Sequence, residues 1–312
     1  MTFLMLFAGL ALLLISGEFL VRGSVSLAGH FKISTLVVGL TVVSFGTSAP
    51  ELVVSLNAAV SGHADISVGN VVGSNISNIG LVLALTIIIA PFFVNTRALV
   101  NDWLIMMSVT LVLVVMLLDL EMSRLEGLIL VSLLLSFIAF SIWKSRRESR
   151  RGTKNYPPVK FSLPVSILII IVSCLGLVGG ADMLVKGASE IARMMGVSER
   201  IISVSIIALG TSLPELATSA VAAVRKQNDI SIGNILGSNI FNILAILGIT
   251  ATFVPFEVKD PGFIFDMIWM TIISLMLFVV ILPLRGAFLK RWRGLTLAAI
   301  YFLYIYFVFF VK

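Results

Sequence analysis

The sequence predicts an all-α integral membrane protein of ten transmembrane helices, arranged as two inverted five-helix repeats with broken helices at the centre. Three observations predict it. The 312-residue chain is 59% hydrophobic and only 12% charged, about half the charged share of a soluble protein. Apolar runs of about 20 residues, enough to span a bilayer, recur along the chain, and mean hydropathy is +1.11. A single offset of 164 residues relates the two halves without a gap, as from Gly46 to Gly210.

The spans run roughly 2–29, 33–61, 67–90, 98–118 and 125–144, then 162–194, 200–224, 231–254, 263–283 and 293–311. The first apolar run, Phe3 to Ile15, resembles a signal peptide but lacks a basic leading region, and its continuation recurs in the second half. It is read as a retained helix. The organisation is therefore a first repeat at 1–144, a basic linker at 145–160 carrying Pro157-Pro158, and a second repeat at 161–312. Five spans is an odd number, so the second repeat enters from the opposite side and the repeats are inverted, as in secondary transporters. Fifteen Lys and Arg lie on the linker side and five on the other. That bias places the linker in the cytoplasm and both termini outside, in the cell membrane. The net charge of +6 reflects this bias, so the expected partner is the lipid bilayer and not nucleic acid. The linker cations could also meet anionic lipid. Cys174 is the single cysteine, read as a buried inert thiol.

The offset pairs Leu20-Val21-Arg22-Gly23 with Leu184-Val185-Lys186-Gly187, and Asp65-Ile66-Ser67 with Asp229-Ile230-Ser231. Two further pairs carry chemistry. Gly46-Thr47-Ser48-Ala49-Pro50-Glu51 recurs as Gly210-Thr211-Ser212-Leu213-Pro214-Glu215, each in the middle of an apolar run. Gly73-Ser74-Asn75-Ile76-Ser77-Asn78 recurs as Gly237-Ser238-Asn239-Ile240-Phe241-Asn242. An ionisable residue at a helix centre costs roughly 2.5–3.5 kcal/mol on insertion scales, so Glu51 and Glu215 are functional candidates. Residues four apart share a helical face, which predicts that Thr47 points with Glu51 and Ser74 with Asn78, and likewise Thr211 with Glu215 and Ser238 with Asn242. These eight side chains all offer oxygen, a donor set suited to Ca²⁺ or Na⁺ and unsuited to zinc or copper. Pro50 and Pro214 cannot donate to the carbonyls of Gly46 and Gly210, so each helix is expected to break there and free backbone oxygens. The patterns Gly69-x-x-x-Gly73 and Gly233-x-x-x-Gly237 predict close helix packing, with Asn70 and Asn234 as interhelical bonds or ligands. Two glutamates give the centre a charge of −2, which one Ca²⁺ or two Na⁺ would neutralise. An empty site would be an unpaired buried dianion, so the carrier should resist reorienting unloaded.

These paired blocks resemble the α-repeats of sodium/calcium exchangers, in the cation/Ca²⁺ antiporter superfamily, and the resemblance covers the whole chain. It implies exchange of several Na⁺ for one Ca²⁺ by alternating access, with the first and sixth helices sliding as a pair. It maps the ion ligands onto Thr47, Ser48, Glu51, Ser74 and Asn78, and onto Thr211, Ser212, Glu215, Ser238 and Asn242. The backbone of Ala208, and of its repeat mate Ser44, takes positions used for Na⁺. Some relatives, including the K⁺-dependent branch, have aspartate at the position of Asn242; asparagine argues against K⁺ cotransport. The short linker leaves no room for a Ca²⁺-sensing region. The resemblance implies no cofactor beyond the transported ions Ca²⁺ and Na⁺, and a monomer suffices for transport, with oligomeric state open.

Three other functions compete with this reading. An H⁺/Ca²⁺ antiporter of the same superfamily carries Gly-Asn-x-x-Glu where this chain has Gly-Thr-Ser-x-Pro-Glu. A passive channel would conduct Ca²⁺ without a counter-ion. An enzyme is disfavoured, because His30 and His63 fall at helix ends and no nucleophile–base set is visible. Glu18 and Asp182, which match across the offset, are read as snorkelling or packing residues, with a role in ion entry as the alternative.

Overall fold

Caps and turns in the sequence set where the helices begin and end. The computed structural model of the chain describes residues 2–150, 156–197, 208–260, 262–281 and 287–310. Its helices are α1 (Thr2–Phe31), α2 (Thr35–Thr47), α3 (Ala49–Val60), α4 (Ala64–Ile89), α5 (Thr96–Met116), α6 (Arg124–Arg150), α7 (Leu163–Met194), α8 (Leu213–Val224), α9 (Asn228–Phe253), α10 (Phe263–Ile281) and α11 (Arg291–Phe310). Seven described helices are long and apolar enough to cross a membrane, and α2 with α3, bent by 48° at their junction, makes an eighth. The beginning of the expected span at 200–224 falls at 200–207, outside the described residues, as do Arg151, Lys154, Arg200, Arg285 and Lys312 of the charge count.

Local chemistry explains the boundaries. The Ser34 side chain caps α2 by accepting from the Val37 N–H, and Asn95 caps α5 by accepting from Ala98. Ser123 and Glu126 form a reciprocal capping box at α6: the Ser123 N–H donates to Glu126 Oε2 at 2.7 Å, and the Glu126 N–H to Ser123 Oγ at 3.3 Å. Gly62 (φ 79°) and Lys226 (φ 60°) make the same left-handed turn after α3 and α8, one offset apart. One boundary differs from expectation. Helix α6 runs to Arg150, six residues into the expected linker. Lys, Arg and Glu are good helix formers, and neither glycine nor proline interrupts before Gly152.

Burial sorts the helices into a core and a periphery. The apolar window of α9 is 94% buried and that of α4 72%, against 33% for α1 and 28% for α7. Along α1, Phe3, Leu4, Phe7, Leu14 and Ile15 are exposed, as suits a lipid-facing helix. Helices α1 and α7 pack on one another backbone to backbone: a Cβ on Gly9 would lie 2.6 Å from the Leu184 nitrogen, and one on Gly180 2.9 Å from that of Leu13.

Two small sheets tie the loops. Strands β1 (Phe92–Val94) and β4 (Ala287–Leu289) pair antiparallel, and so do β2 (Glu121–Met122) and β3 (Phe256–Glu257). Each pair joins one loop from each half of the chain, and each unites loops that the charge bias assigns to one side.

Candidate cation-binding site

The two hexads break their helices, but not at the proline. Ser48 (φ −87°, ψ 6°) ends α2, and α3 restarts at Ala49 with Pro50 in its first turn. Ser212 (φ −85°, ψ 2°) stands in the same way before α8, with Pro214 in that first turn. A first-turn N–H has no intrahelical acceptor, so proline costs nothing there, and the break falls two residues earlier. This corrects the expectation that Thr47 and Glu51 share a helical face, and the matching one for Thr211 and Glu215. Thr47 ends the segment before the first break and Glu51 lies in the segment after it, while Thr211 sits in the turn that separates Ala208–Gly210 from α8 and Glu215.

The second pair of motifs behaves as expected and adds a feature. Ser74 and Asn78 lie on one continuous helix, as do Ser238 and Asn242, and all four are buried. At both asparagines the helix widens into a π turn, over Asn78–Leu83 and Asn242–Leu247. Such turns are rare and concentrate at functional sites.

These elements converge on two carboxylates. Glu51 and Glu215 are each 1% exposed, with Thr47, Ser48, Ser212 and Ser44 also buried and Thr211 half-buried. Ser48 Oγ donates to Glu215 Oε1 at 2.9 Å and Ser238 Oγ to the same oxygen at 3.5 Å, so one half of the chain completes the site of the other. Of the buried side-chain acceptors without a hydrogen-bond partner, four belong to the predicted ligands: Glu51 Oε2, Glu215 Oε2, Asn78 Oδ1 and Asn242 Oδ1; Asn239 Oδ1, in the same repeated block, is unmatched as well. Leaving a buried acceptor unmatched costs about 1–3 kcal/mol, more when it is charged, so four together mark a place for a cation. Among the described residues no third His, Cys, Asp or Glu joins the two carboxylates, and the donor set is all oxygen and of the hard type.

Ser44 is placed differently from the rest. Its carbonyl already accepts from the Ser48 N–H at 2.9 Å and from Thr47 Oγ1 at 3.3 Å, and its hydroxyl donates to the Gly39 and Asn234 carbonyls. Ala208 opens a helical turn, Ala208–Gly210, ahead of the second break.

The remaining asparagines act as braces. Asn70 Nδ2 donates to Ser55 Oγ and to the Glu51 carbonyl, and Asn234 Nδ2 to Ser219 Oγ and the Glu215 carbonyl. Asn234 Oδ1 also accepts from Thr47 Oγ1 at 3.1 Å. Interhelical bonding is thus the role of both. Gly233 and Gly237 pack on α2 as the small-residue pattern predicts: a Cβ on Gly233 would lie 2.8 Å from the Leu36 carbonyl oxygen, whereas a Cβ on Gly69 or Gly73 would meet nothing within 4 Å among the described residues, so the first pattern shows no such packing there. Asn75 and Asn239 also lie in the repeated block, where spacing alone gives them no role. Asn75 Nδ2 donates to the Asn239 carbonyl at 3.2 Å and Asn239 Nδ2 to the Asn75 carbonyl at 3.4 Å, a reciprocal clasp between the halves. Asn75 Oδ1 accepts from Asn242 Nδ2 at 3.1 Å, which leaves the Asn242 oxygen as the free end of that amide. A cleft of about 200 Å³, lined by Pro50, Val178, Ala181, Asp182, Val185, Gly210, Thr211 and Pro214, leads to the second break.

A multi-pass bundle that buries two carboxylates behind broken helices defines a membrane carrier for hard cations. The family model described as sodium/calcium exchanger protein matches residues 1–143 and 165–310, and the chain belongs to that family of transmembrane antiporters. It is 37% identical over 279 residues to the inner membrane protein YrbG of Escherichia coli, covering 87% of this chain and 86% of that one. It is 29% identical to the sodium/calcium exchanger MaX1 of Methanosarcina acetivorans, covering 99% of both. Among solved structures it matches the sodium-calcium exchanger NCX_Mj soaked with zero Na⁺ and Ca²⁺, with a TM-score of 0.82, 30% identity and 97% of both chains covered.

Proposed function

We propose that the chain exchanges several Na⁺ for one Ca²⁺ by alternating access at this site. The observation that carries the reading is the set of four unmatched acceptors on Glu51, Glu215, Asn78 and Asn242. Thr47, Ser48, Ser74, Thr211, Ser212 and Ser238 add hydroxyls around them, and the Ala208 backbone, with Ser44 as its mate, adds a Na⁺ position. Two carboxylates carry −2, so one Ca²⁺ leaves the centre neutral, and the empty dianion in an apolar surround opposes reorientation without cargo. That condition gives exchange and not leak. If more than two Na⁺ move per Ca²⁺, each cycle carries net charge, worth about 2.3 kcal/mol per charge per 100 mV.

The architecture is ten spans in two inverted repeats, with the linker in the cytoplasm and both termini outside. The paired sheets support this, since inverted repeats bring β1 to β4 on one side and β2 to β3 on the other. The reciprocal Asn75–Asn239 clasp supports it too, because a two-fold axis between the halves produces such pairs. Flux into sealed vesicles tests the function. An imposed Na⁺ gradient should drive ⁴⁵Ca²⁺ uptake, and uptake driven by a pH gradient with no Na⁺ gradient would refute the reading in favour of H⁺/Ca²⁺ exchange.

A further inference from the structure

Compared across the offset, the two halves of the site are not in the same state. Thr47 donates to Asn234 and Ser48 to Glu215. Among the described residues no equivalent bond joins Thr211 to Asn70 or Ser212 to Glu51. The cleft opens where those bonds are missing, along α7 at Asp182 and beside Thr211 and Pro214. At the equivalent place on α1 the gap is shut. Gly17 faces α8 at contact distance: a Cβ on it would lie 3.4 Å from the Ala217 carbonyl oxygen, in van der Waals contact with no room between. One residue on, Glu18 Oε2 accepts from Arg225 Nε at 2.6 Å, and Arg225 caps the end of α8.

These contacts differ in kind. Thr47, Ser48, Asn234 and Glu215 all have chemically equivalent mates, so their bonds can be exchanged for mirror-image bonds when the other side closes. The pairs within α1 and α7 are also repeated: Arg22 meets Glu18 at 2.6 Å and Lys186 meets Asp182 at 2.8 Å. Arg225 is not repeated. The offset places Ser61 at its position in the first half, and a serine cannot supply Asp182 with a cation. The closed gap at Glu18 therefore has an ion pair that the closed gap at Asp182 would lack.

We propose that Glu18 and Arg225 form a one-sided latch: they position α1 against α8 and tilt the carrier toward the state whose site opens at Asp182. In the proposed orientation that is the external face. The inference rests on the exchange reading, since a latch needs two alternating states to bias. Exposed ion pairs contribute little, but the Glu18 side chain is only 17% exposed and receives two guanidinium groups. A carrier that rests mostly in one state shows weakened apparent affinity on the other face, by the fraction competent to bind.

The test is the half-saturating Ca²⁺ concentration on each face, measured by ⁴⁵Ca²⁺ exchange in right-side-out and inside-out vesicles carrying the full chain. Glu18→Gln and Arg225→Gln should each tighten internal Ca²⁺ binding by about three- to tenfold and weaken external binding by less. The double variant should show less than the sum of the two single shifts, because both changes remove the cross-helix contact. Arg225→Gln isolates the cross-helix bond, as it leaves the Glu18–Arg22 pair intact. Ser61→Arg, which offers Asp182 a partner on the opposite side, should shift the same two constants in the same directions. Shifts of equal sign on both faces, or an internal constant within twofold of wild type in Arg225→Gln, would overturn the latch while leaving exchange standing. A wild type with no Na⁺-driven Ca²⁺ flux would overturn the exchange reading itself.

Discussion

Replacing Glu215 by glutamine is the most direct perturbation of the site, because it changes charge with little change in shape. The Glu215 Oε1 position accepts from Ser48 and Ser238, and a glutamine oxygen can keep both bonds. The cost falls on Oε2, which has no protein donor and becomes an NH₂ group facing the cation. The site charge drops from −2 to −1, and one acceptor becomes a donor. Removing one partner of a buried charge pair costs about 3–5 kcal/mol, which is roughly 10²- to 10³-fold or more in Ca²⁺ affinity at 1.4 kcal/mol per decade. The empty protein should respond in the opposite sense, since the variant no longer buries two like charges without a counter-ion. Thermal unfolding in detergent reads both effects. At a Ca²⁺ concentration 100 times its dissociation constant the wild type gains about 2.7 kcal/mol, and Glu215→Gln should lose most of that gain while its metal-free melting temperature holds or rises. Vesicle flux should show ⁴⁵Ca²⁺ exchange abolished or severely reduced. A variant with Ca²⁺-dependent stabilisation within threefold of the wild-type midpoint, and near-normal exchange, would remove Glu215 from the site.

Three further outcomes follow from neighbouring contacts. Asn75→Ala removes the acceptor that orients Asn242 and one arm of the clasp to Asn239, and should weaken Ca²⁺ binding by about tenfold, read by the same thermal shift. Gly46→Ala drives a Cβ into Cys174 Sγ on α7 and should depress exchange; adding Cys174→Ala should restore much of it, since the obstacle is one side chain. Gly237→Ala meets the Leu40 backbone at 2.7 Å as well as Ser44 Oγ, so it should destabilise the protein by about 1–3 kcal/mol, and Ser44→Ala should rescue it poorly. ⁴⁵Ca²⁺ exchange in vesicles checks the Gly46 pair, and melting temperatures of the single and double variants check the Gly237 pair.

How far the site could be read from the chain varies residue by residue. Glu51 and Glu215 stood out because a carboxylate in an apolar run has few uses, and the structure buries both against unmatched oxygens. The asparagines of the next helix were legible in part: the spacing from Ser74 marks Asn78 as a ligand, Asn70 stays open between bond and ligand, and Asn75 has no role in the sequence, because such roles depend on what each side chain faces. Asn70 turns to α3 as a brace, Asn75 crosses to the other half, and the Asn78 oxygen is left without a partner. The Thr47–Glu51 spacing misled because the face rule assumes an unbroken helix, and the break fell at Ser48, between them.

The sequence by itself determined the membrane setting, the duplication, the hexads and the kind of chemistry they support, since these depend on residue types, their spacing and one constant offset. The tertiary structure alone decided which oxygens meet, because Ser48 and Glu215 come together across 167 positions of chain. It also decided the difference between the two halves. Repeated residues encode a symmetric pair of bonds, and only the packed molecule shows which member of each pair is made. The unrepeated Arg225 was visible in the sequence as one cation of a basic loop. Its bond to Glu18 depends on α1 lying against α8, a contact between elements some 200 residues apart.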